Sequence, residues 1–189
     1  MSIFGPSLKT IYKELAIEMG GEHIKKGWLS SGYLSYHYHN WELILDTYSS
    51  GGEDSTSYTR VRALFQNPSG FKFQVYRQSV FSRIGKFFGM QDIEIGDPQF
   101  DQDYIIKGND EGRVGALLYD PVLKKMLNEI RRPTLKVNQR ISAFRKRYSP
   151  DVDMLEFYRD GLIKDKDRLK LYIRLVCTVL DHLLKMGIT

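Results

Sequence analysis

Cysteine is nearly absent from this chain of 189 residues, which contains Cys177 alone, and there are only four histidines. A single cysteine excludes an internal disulfide and zinc sites built from several cysteines. Cys177 lies in the apolar segment YIRLVCTVLDHLL, whose spacing predicts a helix, so we interpret it as a buried core residue rather than a nucleophile. The scarcity of cysteine fits a reducing compartment, and we expect a cytoplasmic protein.

Long apolar runs and familiar catalytic motifs are also lacking. No stretch reaches the ~18 uninterrupted apolar residues of a membrane-spanning helix, and the first residues, MSIFGPSLKTIYKEL, do not show the pattern of a signal peptide. Walker, GxGxxG, HExxH and Gly-x-Ser-x-Gly motifs do not occur. We therefore favour a soluble protein that needs no cofactor and is not an enzyme.

The chain does contain enough apolar sequence for one folded domain. Hydrophobic residues make up 42% and charged residues 27% of the sequence, and no linker-like or low-complexity tract divides it. We therefore expect residues 1–189 to form a single domain. The net charge of +5 is mildly basic and does not by itself imply nucleic-acid binding.

Apolar residues recur at helical spacing near both ends of the chain, and the segments between them have sequences typical of strands. An amphipathic pattern follows Ser7 and ends at Gly20–Gly21, and KDKDRLKLYIRLVCTVLDHLLKMG predicts a long C-terminal helix. Strands are predicted for YLSYHYHN, WELILDTYS, YTRVRALFQ, FKFQVYR, QDYIIKG, PTLKVNQR and VDMLEFYRDG. One middle helix, or two separated at Asp120–Pro121, is also predicted. This order predicts an α+β fold with helices on an antiparallel sheet of about five to seven strands, one face buried and one exposed.

Residues 89–112, GMQDIEIGDPQFDQDYIIKGNDEG, carry seven carboxylates and one lysine. Asp97–Pro98 is typical of a turn, and Asp110 precedes a helical pattern, where an N-cap is expected. In a strand, Asp101 and Asp103 would lie on one face about 7 Å apart, a spacing that can hold Ca²⁺ or Mg²⁺. We interpret the acidic segment as turns and caps, and keep a metal site or an acid–base pair as alternatives.

His37 and His39 of YHYHN give a second possible metal site. At period two both rings would face one side of a strand, and this geometry can bind Zn²⁺. A third ligand would come from His23, His182 or a carboxylate. An exposed polar face is the interpretation we favour, but these histidines and the acidic segment together define a metal-dependent hydrolase as an alternative function.

The basic charge is concentrated between Lys124 and Arg147, where nine Lys and Arg accompany a single acid, Glu129. This segment carries +8 (nine minus one), whereas residues 89–112 carry −6 (one minus seven). Three interpretations are open. The two segments neutralise each other in the fold, the basic segment forms a surface that binds phosphate, or both segments are solvated faces. The candidate binding residues are Lys124, Lys125, Arg131, Arg132, Arg145, Lys146 and Arg147.

The segment SVFSRIGKFFGM, residues 79–90, adds to the case for an anionic surface. In a helix, four apolar side chains would share one face flanked by Arg83 and Lys86; they are Phe81, Ile84, Phe87 and Phe88. A helix this short more often packs against the core.

Two stretches, FGMQDIEIGDPQFDQDYIIKGNDEGRVGALL and FYRDGLIKDKDRL, resemble a family of uncharacterised bacterial proteins. The similarity covers roughly the second half of the chain, and some members of that family carry membrane-spanning segments that this chain lacks. The resemblance implies no activity, cofactor or catalytic residue. It implies a shared structural element that includes Asp97, Phe100, Asp101, Gly108 and Asp110.

Simple physical roles can be assigned within this element. We expect Phe100 to insert into the core, Asp101 to accept backbone N–H bonds in the bend, and Ile105 and Ile106 to enter the sheet. Taken together, the sequence favours a non-enzymatic α+β domain that binds a protein partner or a small ligand. Binding to anionic lipid or nucleic acid through residues 124–147 is one alternative, and the metal-dependent hydrolase is the other.

Overall fold

The structure of the chain is a computed structural model, and it describes residues 5–25, 27, 30–49, 55–79, 90–138, 149 and 151–189. These residues form five α-helices and nine β-strands. The helices are α1 (Leu8–Met19), α2 (Pro98–Asp103), α3 (Glu111–Leu118), α4 (Pro121–Glu129) and α5 (Lys166–Lys185). The strands are β1 (Glu22–Ile24), β2 (Tyr33–Tyr38), β3 (Trp41–Ser49), β4 (Ser57–Gln66), β5 (Phe73–Arg77), β6 (Gln91–Asp92), β7 (Tyr104–Gly108), β8 (Thr134–Asn138) and β9 (Val152–Asp160). Residues 80–89 of SVFSRIGKFFGM lie outside the described residues, as do Arg145, Lys146 and Arg147.

All nine strands belong to one sheet in the order β1-β2-β3-β4-β9-β8-β5-β7-β6, and every neighbouring pair is antiparallel. The predicted α+β class, antiparallel sheet and long C-terminal helix are confirmed. The predicted number of five to seven strands is wrong, because β1 and β6 add an edge strand on either side. These strands contain three and two residues, too few for alternation to be visible in the sequence.

The helices cover one face of the sheet, which we call the helix face. Phe157 of β9 lies on this face, and its ring contacts that of Tyr172 in α5 with centroids 4.9 Å apart. The residues paired with Phe157, Val61 on β4 and Leu135 on β8, are completely buried. The hydrophobic core is therefore the layer between this face and the helices, and burial of apolar surface there stabilises the fold.

Side chains expected to cap helices do so. Ser7 and Asp110 each accept a hydrogen bond from the backbone N–H three residues later, at 3.2 and 3.0 Å. The middle helical pattern forms two helices, because Asp120 caps α4 and Pro121 occupies its first turn, where a missing N–H breaks no helical bond. Within the described part of the chain, no helix combines the length and hydrophobicity needed to cross a membrane.

The structure corrects the predicted extended conformation around Asp101 and Asp103. Both residues belong to α2, and strand β7 begins after them. The reason is local: Asp97 accepts the N–H of Phe100, and Pro98 has a φ angle suited to a first helical turn. The predicted metal site required both aspartates on one face of a strand. Because they lie in α2, they do not form that pair.

Candidate functional site

Asp101 closes the bend that leads into α2. Its two carboxylate oxygens accept hydrogen bonds of 3.0 Å, one from the backbone N–H of Ile95 and one from that of Gly96. The neighbouring Phe100 is buried, and its ring stacks on Tyr104 with centroids 4.3 Å apart. The carboxylate thus holds the bend while the aromatic ring anchors it in the core, and both predicted roles are confirmed.

A groove of about 590 Å³ lies between α2 and α4. Seven of its nine lining residues are polar or charged, and the lining consists of Asp97, Gln99, Phe100, Asp103, Pro121, Lys124, Lys125, Asn128 and Glu129. The residues contributed by α4 recur every three or four positions and therefore form one face of that helix. The groove is open to solvent, and it brings the acidic segment against the start of the basic one.

Ion pairs connect the two walls of this groove. Lys124 Nζ lies 2.6 Å from Asp97 Oδ2, and this ammonium, together with the N–H of Phe100, lowers the pKa of Asp97. On the α2 side, Asp103 pairs with Arg77 of β5 at 2.8 Å. The Lys124–Asp97 pair is thus a contact between the acidic and the basic segment, whereas Arg77 belongs to neither of them.

Of the seven predicted basic binding residues, the structure describes Lys124, Lys125, Arg131 and Arg132. Lys124 and Lys125 line the groove, but Lys124 is paired with Asp97. Arg131 and Arg132 are exposed on the segment that follows α4. The described part of the predicted surface is thus an exposed lysine at the groove and two exposed arginines beyond it.

The two histidines of YHYHN do not form the predicted pair on one strand face. Strand β2 ends at Tyr38, and His39 has a left-handed φ of 50° in the turn to β3. A short hairpin turn needs such a positive φ, so it removes His39 from the strand. His37 is exposed opposite Glu42. Among the described residues there is no group of three or more His, Cys, Asp or Glu side chains that could hold a metal ion.

His182 and His23, the other ligands considered, have structural partners. His182 Nε2 lies 2.6 Å from Asp120 Oδ2, and His23 Nε2 lies 2.8 Å from the carbonyl oxygen of Ser31. Burial opposes ionisation of Asp120, but the N–H of Leu123 and the His182 ring outweigh it and lower the pKa of this carboxyl. The pair joins the start of α4 to the end of α5.

The opposite side of the sheet, the second face, was expected to be exposed, but its centre is buried. Asp46 and Glu156 are only 8% and 7% exposed. Arg60 donates to Asp46 at 2.8 and 2.9 Å, and Arg62 donates to the same carboxylate at 2.9 Å. Glu156 lies 3.5 Å from both Arg60 Nη1 and Lys136 Nζ. We call these five residues the second-face cluster.

Tyrosine rings pack beside the second-face cluster. The guanidinium of Arg60 lies 5.2 Å from the ring centre of Tyr48, and Lys136 Nζ lies 4.9 Å from that of Tyr158. These cation–π contacts help to orient the cations on the sheet. Burial raises the pKa of Tyr158 to about 12, so this hydroxyl remains protonated at neutral pH.

The cluster could not be identified from the sequence because it depends on strand order. Alternation in YTRVRALFQ places Arg60 and Arg62 opposite the core, but Glu156 follows Arg60 by 96 residues and reaches it only because β9 pairs with β4. One signal was present: Glu156 lies between apolar residues inside a strand pattern. A charged residue in that position usually needs a partner.

No protein-family model, curated protein or solved structure matches this chain. The resemblance to a family of uncharacterised bacterial proteins therefore stays a prediction. The element that it implied, from Asp97 to Asp110, forms the local unit of α2, β7 and the N-cap of α3. Function has to be argued from geometry and chemistry.

Proposed function

We propose that this protein is a non-enzymatic α+β domain that binds a segment of a protein partner in the groove between α2 and α4. The observation that carries this proposal is the groove itself. Its volume of about 590 Å³ falls within the range of about 300–1,000 Å³ that is typical of ligand sites. Small-molecule sites enclose about 70–90% of their ligand, so an open groove suits an extended peptide better.

The groove offers charges of both signs to such a peptide. Lys124 and Asp97 neutralise each other, whereas Lys125 and Glu129 are exposed one turn apart on α4. Lys125 is placed to pair with a carboxylate of the partner, and Glu129 is placed to pair with a cation. We therefore expect the bound segment to carry charged residues of both signs.

Two side chains with raised pKa values, Tyr104 and Cys177, give no support for catalysis. Burial raises the pKa of Tyr104, beside the groove, to about 12, and it also raises that of Cys177 to about 12. Both groups therefore remain protonated at neutral pH. General bases and nucleophiles need pKa values near the working pH, and these shifts go in the opposite direction.

Selection from a displayed library of random peptides tests this proposal. We expect selected peptides to share a charged pattern and to bind the Lys125→Glu variant about tenfold more weakly, equivalent to about 1.4 kcal/mol. Lys9→Glu, which changes an exposed lysine on α1, is the matched control and should bind normally. Selection without any shared pattern, or peptides that bind both variants equally, would contradict the proposal.

The exposed cations around the end of α4 favour a second candidate, binding to an anionic surface. Lys125, Arg131 and Arg132 are all exposed within eight residues of chain. Binding to RNA or to acidic liposomes through them should weaken as salt is added, because counterions screen and replace these contacts. Replacing all three residues with glutamine should reduce binding, and the absence of binding at low ionic strength would exclude this candidate.

A further inference from the structure

Exposed apolar side chains are concentrated at the start of α4, beside the groove between α2 and α4. Tyr119 is 74% exposed and Val122 is 53% exposed. Pro121, which lies between them in the chain, is also exposed and lines the groove. Single exposed apolar residues are common on protein surfaces, whereas apolar side chains concentrated at one place indicate an interaction site. Tyrosine is also enriched among the residues that dominate binding energy at interfaces.

Tyr119 is held against the wall of the groove. Its ring centre lies 5.6 Å from Lys124 Nζ, and the same ammonium lies 2.6 Å from Asp97 Oδ2. Because a cation is attracted to the face of a tyrosine ring, this contact keeps the ring next to the wall that Lys124 and Asp97 form. Most of the ring remains accessible, so a side chain of a bound segment can pack on it.

The face of α4 that lines the groove repeats every four residues. Pro121, Lys125 and Glu129 are exposed and belong to the lining. A helix rises 1.5 Å per residue, so successive members of this series lie about 6 Å apart along its axis. From its N-terminal end, α4 therefore presents an apolar position with Tyr119 beside it, then a cation, then an anion.

An extended peptide has nearly the same spacing. Alternate side chains of an extended chain point to one side and lie about 6.6 Å apart, at about 3.3 Å per residue. A segment that lies along α4 thus places an apolar side chain on Tyr119 and Pro121, a carboxylate opposite Lys125 and a cation opposite Glu129. The reverse order of charges would bring like charges together, which weakens binding.

We propose that the partner segment is extended and carries an aromatic residue, an acid and a base at alternate positions, with the aromatic residue packed on Tyr119. This inference rests on the proposed function and adds the pattern of the partner and its anchor. The pattern applies in either chain direction, because the geometry fixes the order of the side chains along α4 and not the direction of the peptide backbone.

Synthetic peptides that carry a fluorescent label test the pattern by anisotropy at low ionic strength. The probe contains Trp-Ser-Glu-Ser-Lys between glycine residues and is made in both chain directions. Its comparison peptide exchanges the two charges, Trp-Ser-Lys-Ser-Glu, and so has the same composition. We expect the probe to bind at least about fivefold more tightly than its comparison peptide in one of the two directions. If it does so in neither direction, the inference is wrong.

Variants on the groove locate the contacts. Lys125→Glu combined with Glu129→Lys should reverse the preference, so that the comparison peptide binds more tightly. Tyr119→Ala should weaken binding of the probe at least about fivefold, and with this variant the replacement of the Trp of the probe by Ala should have little further effect. Ile17→Ala, which removes an exposed apolar side chain from α1, is the control and should bind like the wild type.

The outcomes separate this inference from the proposed function. If library peptides depend on Lys125 but are indifferent to Tyr119→Ala and to the order of their charges, the inference is overturned and the proposed function stands. If the library yields no peptide that distinguishes Lys125→Glu from the wild type, both are wrong.

Discussion

Replacing Asp101 with alanine tests the idea that the acidic segment serves folding rather than chemistry. The change removes both hydrogen bonds from the backbone N–H groups of Ile95 and Gly96. It also removes a negative charge from the first turn of α2, where the helix dipole favours one. No other side chain accepts these two N–H groups among the hydrogen bonds that we find.

The size of the effect follows from these contacts. A hydrogen bond to a charged acceptor contributes about 1.5–3 kcal/mol. Because Gly96 is exposed and Asp101 half-buried, water replaces part of this contribution, and we expect a total loss of about 2–3 kcal/mol. For a chain of this length that loss corresponds to a fall of about 5–10 °C in melting temperature. Asp101→Asn keeps one acceptor oxygen and should lose about half as much.

Thermal and urea unfolding followed by circular dichroism provide the measurement. The matched control is Glu94→Ala, which removes an exposed carboxylate from the same segment and should change stability by less than about 0.5 kcal/mol. If Asp101→Ala and Glu94→Ala unfold at the same temperature and urea concentration, Asp101 does not hold the bend. The interpretation that the acidic segment serves folding would then be wrong.

Three further predictions follow from capping, burial and charge. Asp110→Ala should destabilise the protein by about 0.5–2 kcal/mol through the lost N-cap of α3; an unchanged urea midpoint would argue against that role. Cys177, whose thiol pKa burial raises to about 12, should react with thiol reagents only after denaturation, and rapid labelling of the native protein would show that the thiol is accessible. Because the folded pKa of Asp120 is depressed, its ionised form stabilises the protein above the ordinary carboxyl pKa of about 3.9. This contribution should disappear as pH falls through the lower folded value, so the stability difference between wild type and Asp120→Asn should shrink at acid pH; a constant difference would disprove the linkage.

Much of the local structure was accessible from the sequence because it depends on neighbours within a few residues. Ser7 and Asp110 were assigned as caps because a capping side chain bonds to an N–H three residues later. Aromatic and β-branched content likewise predicted strands, and in YTRVRALFQ and FKFQVYR so did the alternation of apolar residues, since side-chain direction in a strand has period two. The failures at this level were also local: Pro98 and Asp97 favoured a helical turn over a strand, and His39 entered a hairpin turn.

The candidate sites depended on contacts between distant parts of the chain. Alternation assigns a residue to one of two faces of a strand, but it does not determine which strand lies next to it. The insertion of β9 between β4 and β8 brings Glu156 to Arg60, and the fold brings Lys124 of α4 to Asp97, which precedes it by 27 residues. The sequence by itself therefore determined helices α1, α3, α4 and α5, the seven longer strands, and the caps at Ser7 and Asp110. Only the tertiary structure decided which charges meet, because strand order results from the burial of the whole core at once.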